Sequence, residues 1–173
     1  MILKRWRMDR DAPALQSQIA DIYDMLASRA REGTAEKAEN AKKALDARTK
    51  LAAYVGNTPW VIANRDDPEA LQAAEKLVRG GLRRAAADHT NAGSALVNLA
   101  RETSDDVMRG KHLERALSEY RMASTGWLGV LGEDDNAPDA YESRYWLADA
   151  AHNVIVIQVE LDKSPTAEEY ETA

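Results

Sequence analysis

Three histidines, a cluster of acids and a row of basic residues are the groups in this sequence best equipped for chemistry, and their spacing limits what they can do. His89, His112 and His152 lie far apart. None has another histidine three or four residues away, and none completes the Glu-x-x-His pair of a carboxylate-bridged metal site. Asp149 and His152 share a face if their segment is helical. Acid/base chemistry needs further groups to orient such a pair and meet a substrate, and a structural or solvated pair is the simpler reading. The run GEDDNAPD gathers Glu133, Asp134, Asp135 and Asp139. It lacks the alternating spacing, central glycine and distal glutamate of an EF-hand loop, so capping of the following helix is preferred to calcium. Lys76, Arg79, Arg83 and Arg84 form a basic stripe, expected to be solvated or salt-bridged, with partner docking as the alternative. Gly80 and Gly81 sit inside a helical pattern rather than after a strand, so they do not form a phosphate loop. The expectation is a non-enzymatic protein with no cofactor and no metal site.

Composition narrows the classes further. With 173 residues the chain suits one domain spanning 1-173. Its net charge of −6 argues against a nucleic-acid partner, which would need a concentrated basic face. The absence of cysteine removes disulfides, thiolate metal sites and a cysteine nucleophile. The start, MILKRWRMDRD, has no apolar run of signal-peptide length behind it, and no stretch approaches a membrane span, so direct membrane insertion is not expected. The end, SPTAEEYETA, starts a helix and stops inside it, the pattern expected of a fragment of a longer chain.

The elements that must position these residues are helical. Abundant alanine beside Leu, Glu, Arg and Lys favours helix, and few segments alternate as a strand would. Asp11 and Pro13 start a first helix, in which Leu15, Ile19, Ile22 and Leu26 follow at helical spacing until Gly33. Thr34 caps a second, with Ala38, Ala41, Leu45, Arg48, Ala52 and Val55 as its stripe. Gly56 to Arg65 reads as a loop whose Trp60, Val61 and Ile62 tuck into the core, with a partner-binding anchor as the alternative. Asp67 and Pro68 open one long helix to about Glu102, with a hairpin broken around His89 to Gly93 as the rival. Ser104, Asp105 and Asp106 cap the next, whose seam is Leu113, Ala116, Leu117, Tyr120, Ala123, Trp127 and Val130. The helix from Pro138 to Leu161 carries two apolar stripes, one of Tyr141, Tyr145, Ala148, His152, Ile155 and Val159, the other of Leu147, Ala151, Val154 and Leu161. It is therefore expected to be covered on more than one side and to centre the core. Val154 to Val159 is strand-like in composition but reads as the buried end of that helix. Ser164 and Pro165 mark a last start.

The spacing of Ala116, Tyr120 and Ala123 resembles the small/aromatic/small pattern of a tetratricopeptide (TPR) second helix, and Leu147-Ala148 resembles the Leu-small pair of a first helix. Arg144 stands where the motif prefers Trp, Ala151 where it prefers Tyr, and Pro138 arrives several residues late. The runs AAYVGNTPW, LVRGGLRRAAADHTNA and NAPDAYESRYWLADAAHNV are similar to the TPR-containing envelope proteins of myxobacterial adventurous gliding motility. The resemblance implies an all-α fold of antiparallel helical hairpins stacked as a TPR-like bundle or solenoid, with one long central helix. It also implies a cell-envelope, periplasmic subunit of a motility complex.

On that reading the groove would be lined by Glu142, Tyr145, Asp149, His152 and Asn153 and would receive a protein or peptide partner. An aromatic ring supplies contact area and its polar neighbours supply orientation. Tyr145 and His152 also lie on an apolar stripe, so a core role with satisfied polar tips competes. A structural spacer without a ligand groove is the alternative to the interaction scaffold, and the partner and oligomeric state are open.

Overall fold

The computed structural model describes residues 8–31, 33–132 and 140–172. Among them the elements are α1 (Ala12–Arg29), α2 (Ala35–Thr49), a 3-10 helix (Lys50–Tyr54), α3 (Pro59–Ala63), α4 (Pro68–Glu102), α5 (Asp106–Leu131), α6 (Ala140–Glu160) and α7 (Ala167–Thr172). The fold is all-α, with no strand among the described residues. Val154 to Val159 is helical, with Val154 and Ile157 buried and Val156 and Val159 exposed. The acidic run at 133–139 lies outside the described residues.

Side chains fix the helix starts. Thr34 Oγ1 accepts from the Lys37 N–H at 3.3 Å, and Asp67 Oδ1 accepts from the Ala70 N–H at 3.0 Å. Asp105 serves α5, accepting from the Val107 and Met108 N–H groups at 2.9 and 3.0 Å. Each satisfies donors that the helix cannot pair internally, an effect of about 1 kcal/mol per cap. Helix α4 runs unbroken for 35 residues, about 50 Å at 1.5 Å per residue.

The contacts divide the chain into two compact units, Met1–Leu82 and Arg83–Ala173. In the first, α1 and α2 form a hairpin whose buried positions are chiefly small: Ala12, Ala20 and Ala27 on one helix, Ala44 and Ala47 on the other. Gln16 Nε2 donates to the Ala47 carbonyl at 3.0 Å, and the nearly buried Arg48 guanidinium pairs with Asp24. The core then passes through Leu51, Tyr54 and Trp60 to Ala70, Ala74 and Val78 on α4. Tyr54 meets Trp60 edge-on, centroids 5.6 Å apart. Trp60 Nε1–H donates to the Asp9 carbonyl at 2.7 Å, which gives a buried polar atom its partner.

Two sequence expectations change here, and a further feature emerges on α1. The segment after Gly56 is not all loop, because Pro59–Ala63 forms a short helix capped by Thr58. It buries Trp60 as expected but leaves Ile62 outside. Helix α2 ends at Thr49 rather than Val55, and its buried face is Asn40, Ala44, Ala47 and Arg48. Of the expected stripe, Arg48 is buried, Leu45 and Val55 are half-buried, and Ala38, Ala41 and Ala52 are exposed. On α1 the row of Leu15, Ile22 and Leu26 points outward, at 37%, 50% and 39% exposure.

In the second unit the latter part of α4 runs antiparallel to α5, and α5 runs antiparallel to α6. A Cβ on Gly93 would lie 2.9 Å from the Tyr120 ring, and one on Gly126 would lie 2.9 Å from the Ala86 methyl. Glycine therefore serves close helix approach here rather than bending. Every residue of the expected α5 seam is buried: Leu113, Ala116, Leu117, Tyr120, Ala123, Trp127 and Val130. Polar ties cross the same interface. Trp127 Nε1–H donates to Thr90 Oγ1 at 3.3 Å, Tyr120 Oη and Ser94 Oγ are 2.9 Å apart, and His89 Nδ1 lies 2.7 Å from Glu119 Oε2.

Candidate functional site

Helix α6 has one inward face and one outward face. Ala140, Ser143, Ala150, Ala151, Val154, Ile157 and Gln158 are buried, and Leu147 packs on Leu131 and Ala140. The second of the two expected stripes is thus the inward one. The first is not a core stripe. Tyr141 is 85% and Tyr145 59% exposed, and His152 and Val159 are also exposed. Helix α6 is therefore not covered around most of its circumference. The physical reason is the shape of its partner: α5 offers bulky Trp127 and Val130, against which alanines permit close approach, while tyrosines keep their hydroxyls in water.

The outward face carries all five groove residues named from the sequence. Tyr145 stands edge-on to Trp146, centroids 5.1 Å apart, and Trp146 stacks on buried Trp127 at 6.4 Å. The exposed ring thus adjoins a row of aromatics reaching into the core. Glu142 pairs with Arg83 on α4, which also places that arginine of the basic stripe in an ion pair. Arg84 reaches Asp88 at 3.6 Å in an exposed pair of little energetic weight. Asp149 and Asn153 are half-buried, and Asn153 Nδ2 donates to the Asp149 carbonyl at 2.8 Å and to its carboxylate at 3.4 Å. The acid thus interacts with an amide one turn on. His152 stands beside them in solvent.

A second polar centre lies where α7 meets α5 and α6. Thr166 and Glu169 form a capping box: the Thr166 N–H donates to Glu169 Oε2 at 2.8 Å, and the Glu169 N–H donates to Thr166 Oγ1 at 3.3 Å. The same carboxylate accepts from Arg121 Nη2 at 2.7 Å and from buried Gln158 Nε2 at 3.1 Å. The Thr166 backbone N–H, with the Arg121, Gln158 and Thr166 side chains, holds the Glu169 carboxyl down at about 2, against an opposing effect of burial. Beside it is a cavity of about 290 Å³, whose lining includes Arg121, Thr125, Leu128, Val154 and Glu169. Sequence reasoning placed a helix start at Ser164 and Pro165 and overlooked this centre. The signal was the Thr-x-x-Glu spacing at 166 and 169.

Among the described residues no three or more His, Asp or Glu side chains gather as a metal site. None of the described helices is long and apolar enough to cross a membrane. No protein-family model, curated protein or solved structure matches the chain.

Proposed function

We propose that the protein is a non-enzymatic interaction scaffold whose second unit receives a protein or peptide partner on the outward face of α6. The observation that carries this reading is the exposure of Tyr145 at 59% beside Trp146, which itself stacks on buried Trp127. A large aromatic side chain already ordered before binding gives contact area at low entropic cost. Glu142, Asp149, His152 and Asn153 surround it with the polar groups that orient a ligand. The antiparallel succession of α4, α5 and α6, with Ala116, Tyr120 and Ala123 at a close-packed seam, favours a TPR-like stacking of hairpins. The resemblance of AAYVGNTPW, LVRGGLRRAAADHTNA and NAPDAYESRYWLADAAHNV extends the proposal to a subunit of a periplasmic, cell-envelope gliding-motility complex.

The test is capture of partners from a cell-envelope extract by the wild-type protein and by Tyr145→Ala and Asp149→Ala, with folding of all three checked by circular dichroism. A partner retained by wild type and lost by both variants supports the groove. Equal capture by all three removes it, and absence of any specific partner favours a structural spacer.

A further inference from the structure

Among the described residues, helix α1 leaves a second apolar face uncovered, in the first unit. Its hairpin contacts with α2 use alanines, so the large side chains Leu15, Ile22, Met25 and Leu26 remain between 37% and 50% exposed, and Ile19 is half-buried beside them. Positions 15, 19, 22 and 26 are separated by four, three and four residues. That spacing reads the same from either end of the helix. A stripe with this property can pack on a reversed copy of itself, Leu15 against Leu26 and Ile19 against Ile22, around a two-fold axis.

The charges on the same face have the same symmetry. At 100° per residue Asp11 and Arg29 fall in line with each other and flank the stripe, the acid before its first turn and the base in its last. In a reversed pair each Asp11 approaches the Arg29 of the other copy, and the helix dipoles oppose. Asp11 makes no side-chain capping bond with its own helix, and its side chain is 75% exposed, with only a long 3.9 Å contact to the exposed Arg10. A parallel pair would instead place like charges together.

We propose that this face is a self-association surface and that its occupant is the α1 of a second copy, packed antiparallel. A single pair of 18-residue helices buries less than a standard interface, so the dimer is concentration-dependent.

Sedimentation equilibrium over about 5 to 500 µM tests it, a range bracketing micromolar affinity. Wild type should pass from monomer to dimer, and Ile22→Asp should stay monomeric with an unchanged circular dichroism spectrum. Asp11→Arg and Arg29→Asp should each weaken association about tenfold, and the double variant should restore it, which a merely structural role of either residue would not do. The chain has no native cysteine, so register can be read by oxidation. A mixture of Leu15→Cys and Leu26→Cys chains should cross-link, and neither variant alone should. Monomeric wild type throughout the range, or cross-linking of Leu15→Cys with itself, would overturn the proposal.

Discussion

Gly93 lies directly against the ring of Tyr120, so close that a Cβ there would stand 2.9 Å from two ring carbons. Helix propensity alone favours alanine over glycine by about 1 kcal/mol. Overpacking opposes it by about 1–3 kcal/mol, because the ring is buried and its hydroxyl is bonded to Ser94. Gly93→Ala should therefore destabilise the protein in urea unfolding. Gly80, in the same helix with nothing within 4 Å of its Cβ direction, supplies the control. Gly80→Ala should stabilise by about 0.5–1 kcal/mol. Equal signs for the two variants would contradict this account of the helix contact.

Arg48 has only 5% of its side chain exposed, and Asp24 neutralises it from α1. Removing the acid leaves a nearly buried guanidinium with one ionic partner fewer. Asp24→Ala should cost about 2 kcal/mol, less than a fully buried pair because Asp24 itself keeps some contact with water. Chemical denaturation with an unchanged slope would establish that the loss is one of stability.

Ser143 is fully buried on the inward face of α6, and its hydroxyl has no hydrogen-bond partner among the described residues. A buried, unsatisfied hydroxyl carries a desolvation cost that a methyl group does not. Ser143→Ala should raise stability by about 0.5–1 kcal/mol and raise the thermal midpoint accordingly.

Glu169 links α7 to the rest of its unit, and its carboxyl is held at about 2 when docked, below the roughly 4.3 of a free glutamate. A carboxylate with a depressed folded pKa stabilises fully above its unfolded value, and that contribution is lost as pH falls through the folded one. Docking of α7 should thus be constant at neutral pH and weaken between about pH 5 and pH 2. Protection of the amides in Ala167–Thr172, taken against their intrinsic exchange rates at each pH, should fall in that window. Glu169→Gln should produce fast exchange already at pH 7 and remove the acid dependence. Exchange unaffected by the substitution would mean that other contacts hold α7.

The sequence was most readable where large side chains made the packing. The α5 seam, from Leu113 to Val130, is buried in full, because Leu, Tyr and Trp at helical spacing have nowhere better to go than the core. It misled where alanine made the packing. On α1 the large apolar Leu15, Ile22 and Leu26 stay exposed, while the buried positions of α1 and α2 are mostly small or polar, among them Ala20, Ala27, Asn40, Ala44 and Ala47. The α6 groove residues were recognisable as one helical face, but their exposure depended on how α5 shapes its contact, which periodicity does not report. The capping box at Thr166 and Glu169 was legible, whereas its reach to Arg121 and Gln158 was tertiary.

The helical pairing described above joins elements adjacent along the chain: α1 with α2, the end of α4 with α5, and α5 with α6. Few residues separate α1 from α2 and α4 from α5, so little chain entropy is spent before those pairs begin to form. Pairing between chain neighbours favours rapid folding, whereas the bond from Trp60 to the Asp9 carbonyl joins residues 51 apart. Within each unit, the hairpins can assemble from local encounters without waiting for the distant ends of the chain to meet.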